Sequence, residues 1–96
     1  MAFYCYMVEC SDHSYYTGWT TDPVRREKQH NRGTGARYTC QRRPVRLVYV
    51  ELQPDRGTAM RRERTIKSYS HNKKMDLALG YSDSVSNVTL DREKSG

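Results

Sequence analysis

Residues 3–10, FYCYMVEC, are apolar or aromatic at every position but Glu9, and 15–20, YYTGWT, resume that character after the polar stretch SDHS. Two β-rich runs separated by turn formers predict a hairpin. Side chains alternate along a strand, so a two-residue Asp12-His13 turn sends Tyr6 and Tyr16 to opposite faces of the sheet. A loop of odd length, or a bulge, brings them to one face. A third run, VRLVYVEL at about 45–52, is rich enough in Val, Leu and Tyr to suit a sheet centre better than an edge.

Helical signals lie between and after the strands. Asp22 or Thr21 can cap a helix that opens at Pro23 and closes at Asn31-Arg32-Gly33, about two turns long. Its only large apolar residue is Val24, so Val24 and a contact with Gly18 are expected to dock it. Thr58 is the expected cap of a second helix reaching about Tyr69, and KKMDLALG predicts a short third helix ending at Gly80. From Ser82 the chain is polar and ends in DREKSG, which predicts a loosely held tail over residues 81–96 behind a domain of residues 1–80. These elements define an α/β (α+β) fold: a small three-stranded antiparallel sheet flanked by helices.

Composition sharpens this picture. Ninety-six residues suffice for one domain, and with 35% apolar residues and eight tyrosines its core must be thin and partly polar. A net charge of +6 favours an anionic partner such as nucleic acid. Cys5, Cys10 and Cys40 follow no metal-ligand spacing and are odd in number, which points to reduced thiols. The stretch MAFYCYMVEC carries neither a basic leader nor an apolar run of membrane-spanning length, so a cytoplasmic location without a membrane partner is expected.

Candidate chemistry starts with Arg26 and His30, four residues apart and therefore on one helix face. A solvated basic face also explains that pair. In the second helix Ala59, Glu63 and Ile66 follow the i, i+4, i+7 stripe, which makes Glu63 the carboxylate directed at the apolar side. Such a carboxylate requires a cation, either an arginine from another element or a divalent metal. Gly18, inside a strand, marks a close approach of a backbone or ligand.

Tyr6 at the end of Tyr4-Cys5-Tyr6, the Tyr16-Thr17-Gly18 triplet ten residues on, then Arg26, His30 and Glu63, resemble the GIY-YIG nuclease domain. The stretches YTGWTTDPVRREKQHNRGTGARYT, RPVRLVYVE and AMRRERTIKSYS are similar to its small stand-alone, YhbQ-like group, over roughly residues 3 to 80. The resemblance implies a metal-dependent endonuclease acting on DNA with Mg²⁺ or Mn²⁺. Tyr6 would activate water, Arg26 would stabilise the phosphoryl transition state, and Glu63 would hold the metal. Tyr16 and His30 would support them by hydrogen bonding or proton relay. A free tyrosine has a pKa of about 10, so the base role requires that Arg26, His30 or the metal favour phenolate, or that a water assist.

Around this set, Gly18, Arg25, Arg32, Arg37, Arg42 and Arg43 are candidate nucleic-acid contacts, with Lys28, Arg46, Lys73 and Lys74 as further phosphate partners. Trp19 and Tyr38 can stack on unpaired bases, although rings in such positions more often pack internally. Two other classes fit the same sequence: a basic nucleic-acid-binding module without useful catalysis, and a nuclease subunit dormant until a regulatory or targeting protein completes its groove. Retention of all five site residues favours a nuclease, active or dormant, over the module.

Overall fold

The computed structural model describes residues 1–95, with side chains described through residue 83. In chain order the elements are β1 (Phe3–Glu9), β2 (Tyr15–Thr20), α1 (Pro23–Asn31), α2 (Arg37–Cys40), β3 (Arg46–Gln53), α3 (Arg56–Lys67) and α4 (His71–Ser95). The strands form one antiparallel sheet in the order β2-β1-β3.

The hairpin loop is Ser11-Asp12-His13, closed by the Cys10 N–H donating to the Ser14 carbonyl at 2.8 Å. His13 takes a left-handed φ of 66°, the conformation that ends three-residue hairpin loops. This odd loop sets the register: Tyr6 lies opposite Gly18, and Val8 opposite Tyr16. Tyr6 and Tyr16 therefore share a face.

That face carries Tyr6, Val8, Cys10 and Val45, with Tyr16 and Leu47 against them. The other carries Cys5 and Met7, covered by Ile66 of α3 and Ala78 of α4. The sheet is thus a middle layer, with α1 and α2 on the tyrosine face and α3 and α4 on the reverse. Cys5 and Cys10 are buried thiols, Cys40 is half-buried, and none of the three is in a disulfide.

Several sequence expectations are corrected. The centre of the sheet is β1, whose Cys5, Tyr6, Met7 and Val8 are all buried, and β3 is an edge strand. β3 is apolar because α1 and α4 pack against it, not because strands flank it on both sides. Its outer edge is blunted by side chains: the Leu47 N–H donates to Glu27 at 2.6 Å, and Asn31 pairs with both backbone groups of Val45, at 2.7 and 2.9 Å. Val24 does not dock α1; it is 57% exposed. Glu27, His30 and Asn31 do so through hydrogen bonds, which is how a helix almost without apolar residues stays in place.

α1 is capped by Asp22, as one of the two expected choices, and ends before Gly33 at φ +85°. α3 begins earlier than expected: Asp55 is the cap, its carboxylate accepting from the Thr58 N–H at 2.7 Å. The short α2 carries no strong sequence signal. α4 does not stop at Gly80 but runs from His71 to Ser95, where an added Cβ on Gly80 would meet nothing. The expectation of a loosely held tail falls on residues whose side chains, from 84 onward, lie outside the described part.

Candidate active site

The tyrosine face and the inner side of α1 meet at Tyr6. Its ring crosses the backbone of Gly18, where a Cβ would lie 2.7 Å from the hydroxyl and 2.9 Å from ring carbons. Gly18 is therefore required by the Tyr6 ring itself rather than by a nearby phosphate or by α1, and its expected nucleic-acid contact gains no support from this packing.

Beyond Gly18 the Tyr6 hydroxyl lies 2.7 Å from His30 Nε2. The opposite ring nitrogen, Nδ1, lies 2.7 Å from Thr39 Oγ1, and the Thr39 hydroxyl in turn donates to the Ala36 carbonyl at 3.1 Å. Tyr6, His30 and Thr39 are all essentially removed from solvent. The Tyr16 ring meets the imidazole edge-on at 5.2 Å and stacks on Tyr38 at 6.0 Å.

Arg26, one helical turn before His30, is held from two sides. It donates to Gln29 Oε1 at 3.0 Å and to the Gly35 carbonyl at 3.1 Å. Gly35 must be glycine, because a Cβ there would fall 2.3 Å from His30 Nδ1. A groove of about 340 Å³ opens beside Arg26, lined also by Trp19, Thr20, Asp22, Arg25 and Gln29.

Burial governs the acid–base character. It pushes the Tyr6 phenol up to about 12, against the pull of the Arg26 guanidinium toward phenolate. Burial, reinforced by the positive charge of Arg26, lowers His30 to about 4. Of the two routes left open to Tyr6, a shift toward phenolate is opposed by burial: at neutral pH the pair is a neutral phenol bonded to a neutral imidazole.

Glu63 sits on α3, half-buried, with Lys67 Nζ 3.4 Å from Oε1. The same ammonium lies 5.8 Å from the centre of the Tyr16 ring, and the Glu63 charge is felt at Tyr6, so the carboxylate borders the tyrosine cluster. Within α3 Glu63 is the one carboxylate and is half-buried, as the stripe suggests, while β3 turns a second carboxylate inward. Glu51 of β3 is gripped by Arg62 at 2.7 and 3.2 Å and also accepts from Tyr49 and Gln53, making it the structural ion pair of the reverse face.

Among the described residues no three His, Cys, Asp or Glu side chains converge to cage a metal. The donor chemistry still suits a hard divalent cation, because Mg²⁺ typically keeps several waters and takes only one or two carboxylates besides phosphate oxygens. Glu63 supplies one.

The basic candidates divide. Arg25, Arg32 and Arg37 are exposed. Arg42 is engaged with Asp12 at 3.2 Å and lies over the Tyr38 ring, Arg43 donates to the Cys40 carbonyl at 2.8 Å, and Arg46 pairs with Glu9 at 2.7 Å. Tyr38 is held between Tyr16 and Arg42, and Trp19 packs near Phe3 and Arg56. Thr39, Gly35, Gln29 and Asn31 are the site residues that sequence reasoning missed. A polar stripe at Glu27, His30 and Asn31 in a helix whose only large apolar residue is Val24 was the available signal.

This arrangement has a recognisable class. The GIY-YIG catalytic domain model matches residues 2–76, and the chain belongs to that family of endonuclease domains. Within it the chain is similar to UPF0213 proteins. That of Haloquadratum walsbyi is 55% identical over 75 residues, covering 78% of this chain and 84% of its own. One from Staphylococcus aureus is 49% identical over 74 residues, covering 77% and 90%. Among solved structures, the solution structure of a protein from E. faecalis matches with a TM-score of 0.57 at 36% identity, covering 85% of this chain and 88% of the other. The solution structure of a UPF0213 protein from Bacillus halodurans matches with a TM-score of 0.50 at 48% identity, covering 80% and 82%. Among the described residues no helix is long and apolar enough to cross a membrane.

Proposed function

We propose that this protein is a divalent-metal-dependent endonuclease of the cytoplasm that hydrolyses DNA phosphodiesters, choosing its targets by DNA structure rather than sequence. The observation that carries this reading is the 2.7 Å contact between the Tyr6 hydroxyl and His30 Nε2 next to the anchored Arg26 guanidinium.

Phosphodiester hydrolysis must remove a proton from water, stabilise charge on the phosphoryl oxygens, and release an alkoxide. Arg26, fixed from two sides, presents positive charge where phosphoryl charge grows. A phenol pushed up to about 12 is a poor source of free phenolate. The Tyr6 oxygen therefore accepts the water proton as its own proton passes to His30 Nε2, so that no buried phenolate accumulates. The imidazolium formed is stabilised by the negative phosphate alongside, which raises the proton affinity of His30. Glu63 would hold the divalent cation, Mg²⁺ or Mn²⁺, and that ion would supply Lewis-acid stabilisation of phosphate and leaving-group oxygens. Lys67 pairs with Glu63 Oε1 at 3.4 Å, so Oε2 would be the oxygen offered to such an ion.

The exposed Arg25, Arg32 and Arg37, with the +6 net charge, provide a phosphate-attracting surface. Contacts to phosphates carry no sequence information of their own, which favours selection by branched or unpaired geometry.

The test is incubation of the purified chain with linear, nicked, flapped and four-way DNA, with Mg²⁺ or Mn²⁺, beside Arg26→Ala and Glu63→Ala. Cleavage by the wild type alone, with Glu63→Ala binding DNA within a few-fold, supports the reading. Binding without cleavage by the wild type would reduce the protein to a binding module, and cleavage surviving both substitutions would point to a contaminant. Cleavage that requires an added lysate fraction would identify a subunit awaiting a targeting partner.

A further inference from the structure

Thr39 lies on the far side of His30 from the reacting phenol and reaches no substrate, yet its hydroxyl determines what the imidazole can do. A threonine hydroxyl has a single proton. That proton is directed to the Ala36 carbonyl at 3.1 Å, so Thr39 Oγ1 can only accept from His30 Nδ1, 2.7 Å away. Nδ1 must then carry the hydrogen of the neutral ring. Nε2 is left with a lone pair facing the Tyr6 hydroxyl at 2.7 Å, and the Tyr6 proton points inward at it. The Gly35 backbone packs so close to Nδ1 that a Cβ there would lie 2.3 Å from it, so glycine at this position is what lets the ring occupy this chain of bonds.

We propose that Thr39 is a positioning residue that fixes His30 as its Nδ1-protonated tautomer and thereby fixes the direction of the Tyr6 proton. With the other tautomer the ring would donate from Nε2 to the Tyr6 oxygen, and the phenol proton would point outward. Tyr6 would then be a hydrogen-bond donor to whatever enters the site, not an acceptor from water. The Thr39 hydroxyl would also have to abandon Ala36 to donate to Nδ1. The consequence for hydrolysis rests on the nuclease reading above; the tautomer itself does not.

Long-range ¹H–¹⁵N correlation spectra of the uniformly ¹⁵N-labelled full chain at neutral pH distinguish the two protonation patterns. His30→Gln identifies the His30 signals among those of His13 and His71. The expected result is a protonated Nδ1 and a bare Nε2 at His30 in the wild type and in Thr39→Ser, with the pattern mixed or reversed in Thr39→Val. In cleavage assays Thr39→Val should lose about tenfold or more, part of the roughly 10²–10⁴-fold that a general base typically contributes, while Thr39→Ser stays within a few-fold of the wild type. A wild-type His30 protonated at Nε2 overturns the proposal, whether or not Thr39→Val folds. So does a folded Thr39→Val whose His30 pattern matches the wild type. Absence of cleavage by the wild type, with the expected tautomer present, would instead count against the nuclease reading alone.

Discussion

Lowering the pH from about 7 to about 5 should weaken this fold through His30. In the folded chain His30 is fully buried and burial lowers it to about 4, whereas an unfolded histidine titrates near 6.5. Below about 6.5 the unfolded chain takes up a proton that the folded chain refuses, so stability present above that value is progressively lost until the pH reaches about 4. These two values give a loss of about 2 kcal/mol by about pH 5, a large share of the roughly 5–15 kcal/mol typical of a domain. The assay is urea denaturation at several pH values for the wild type and His30→Gln. Contributions from carboxylates such as Glu9 and Asp55, both held below their ordinary range, are common to both proteins and cancel in the difference. The wild type should lose about 2 kcal/mol more than the variant over that interval. Parallel pH profiles would refute the reasoning, because they would mean that His30 is either solvated or already charged in the fold.

Gly18→Ala should destabilise the chain by about 1–3 kcal/mol, since the new methyl overlaps the Tyr6 ring and only a ring shift relieves it. The same shift breaks the bond to His30, so cleavage should fall further than stability alone predicts, measured at a temperature where the variant remains folded. Asn31→Ala should cost about 1–3 kcal/mol through loss of its paired bonds to Val45, whereas Val24→Lys should stay within about 0.5 kcal/mol of the wild type. Thermal unfolding compares the two, and equal costs would restore Val24 as the anchor of α1.

What could be read from the sequence was set by local spacing. Arg26 and His30 share a helix face because four residues make one turn, and the Tyr6 to Tyr16 interval leaves only their common face to be decided by the loop. Strand order is different in kind. The apolar run in β3 reports burial against helices, and no local signal separates that from burial between strands. The docking of α1 was hidden for a related reason: Glu27 and Asn31 look like surface residues until β3 brings its Leu47 and Val45 backbone groups to them. The protonation state of Tyr6 was equally out of reach, since it follows from burial of the phenol between the sheet and α1, against the pull of Arg26, and only the assembled fold sets that balance. Glu63 was placed correctly on the buried-side stripe of α3, but its Lys67 partner and the competing Glu51–Arg62 pair required coordinates.

The most direct measurement is single-turnover cleavage of a flapped DNA by the wild type and Tyr6→Phe at saturating Mg²⁺ or Mn²⁺. Removing one oxygen takes away the acceptor for the water proton and the donor to His30 while leaving the ring over Gly18. The account predicts a rate lowered by about 10²-fold or more, with DNA affinity changed by no more than a few-fold. A Tyr6→Phe protein that cleaves at the wild-type rate would contradict it.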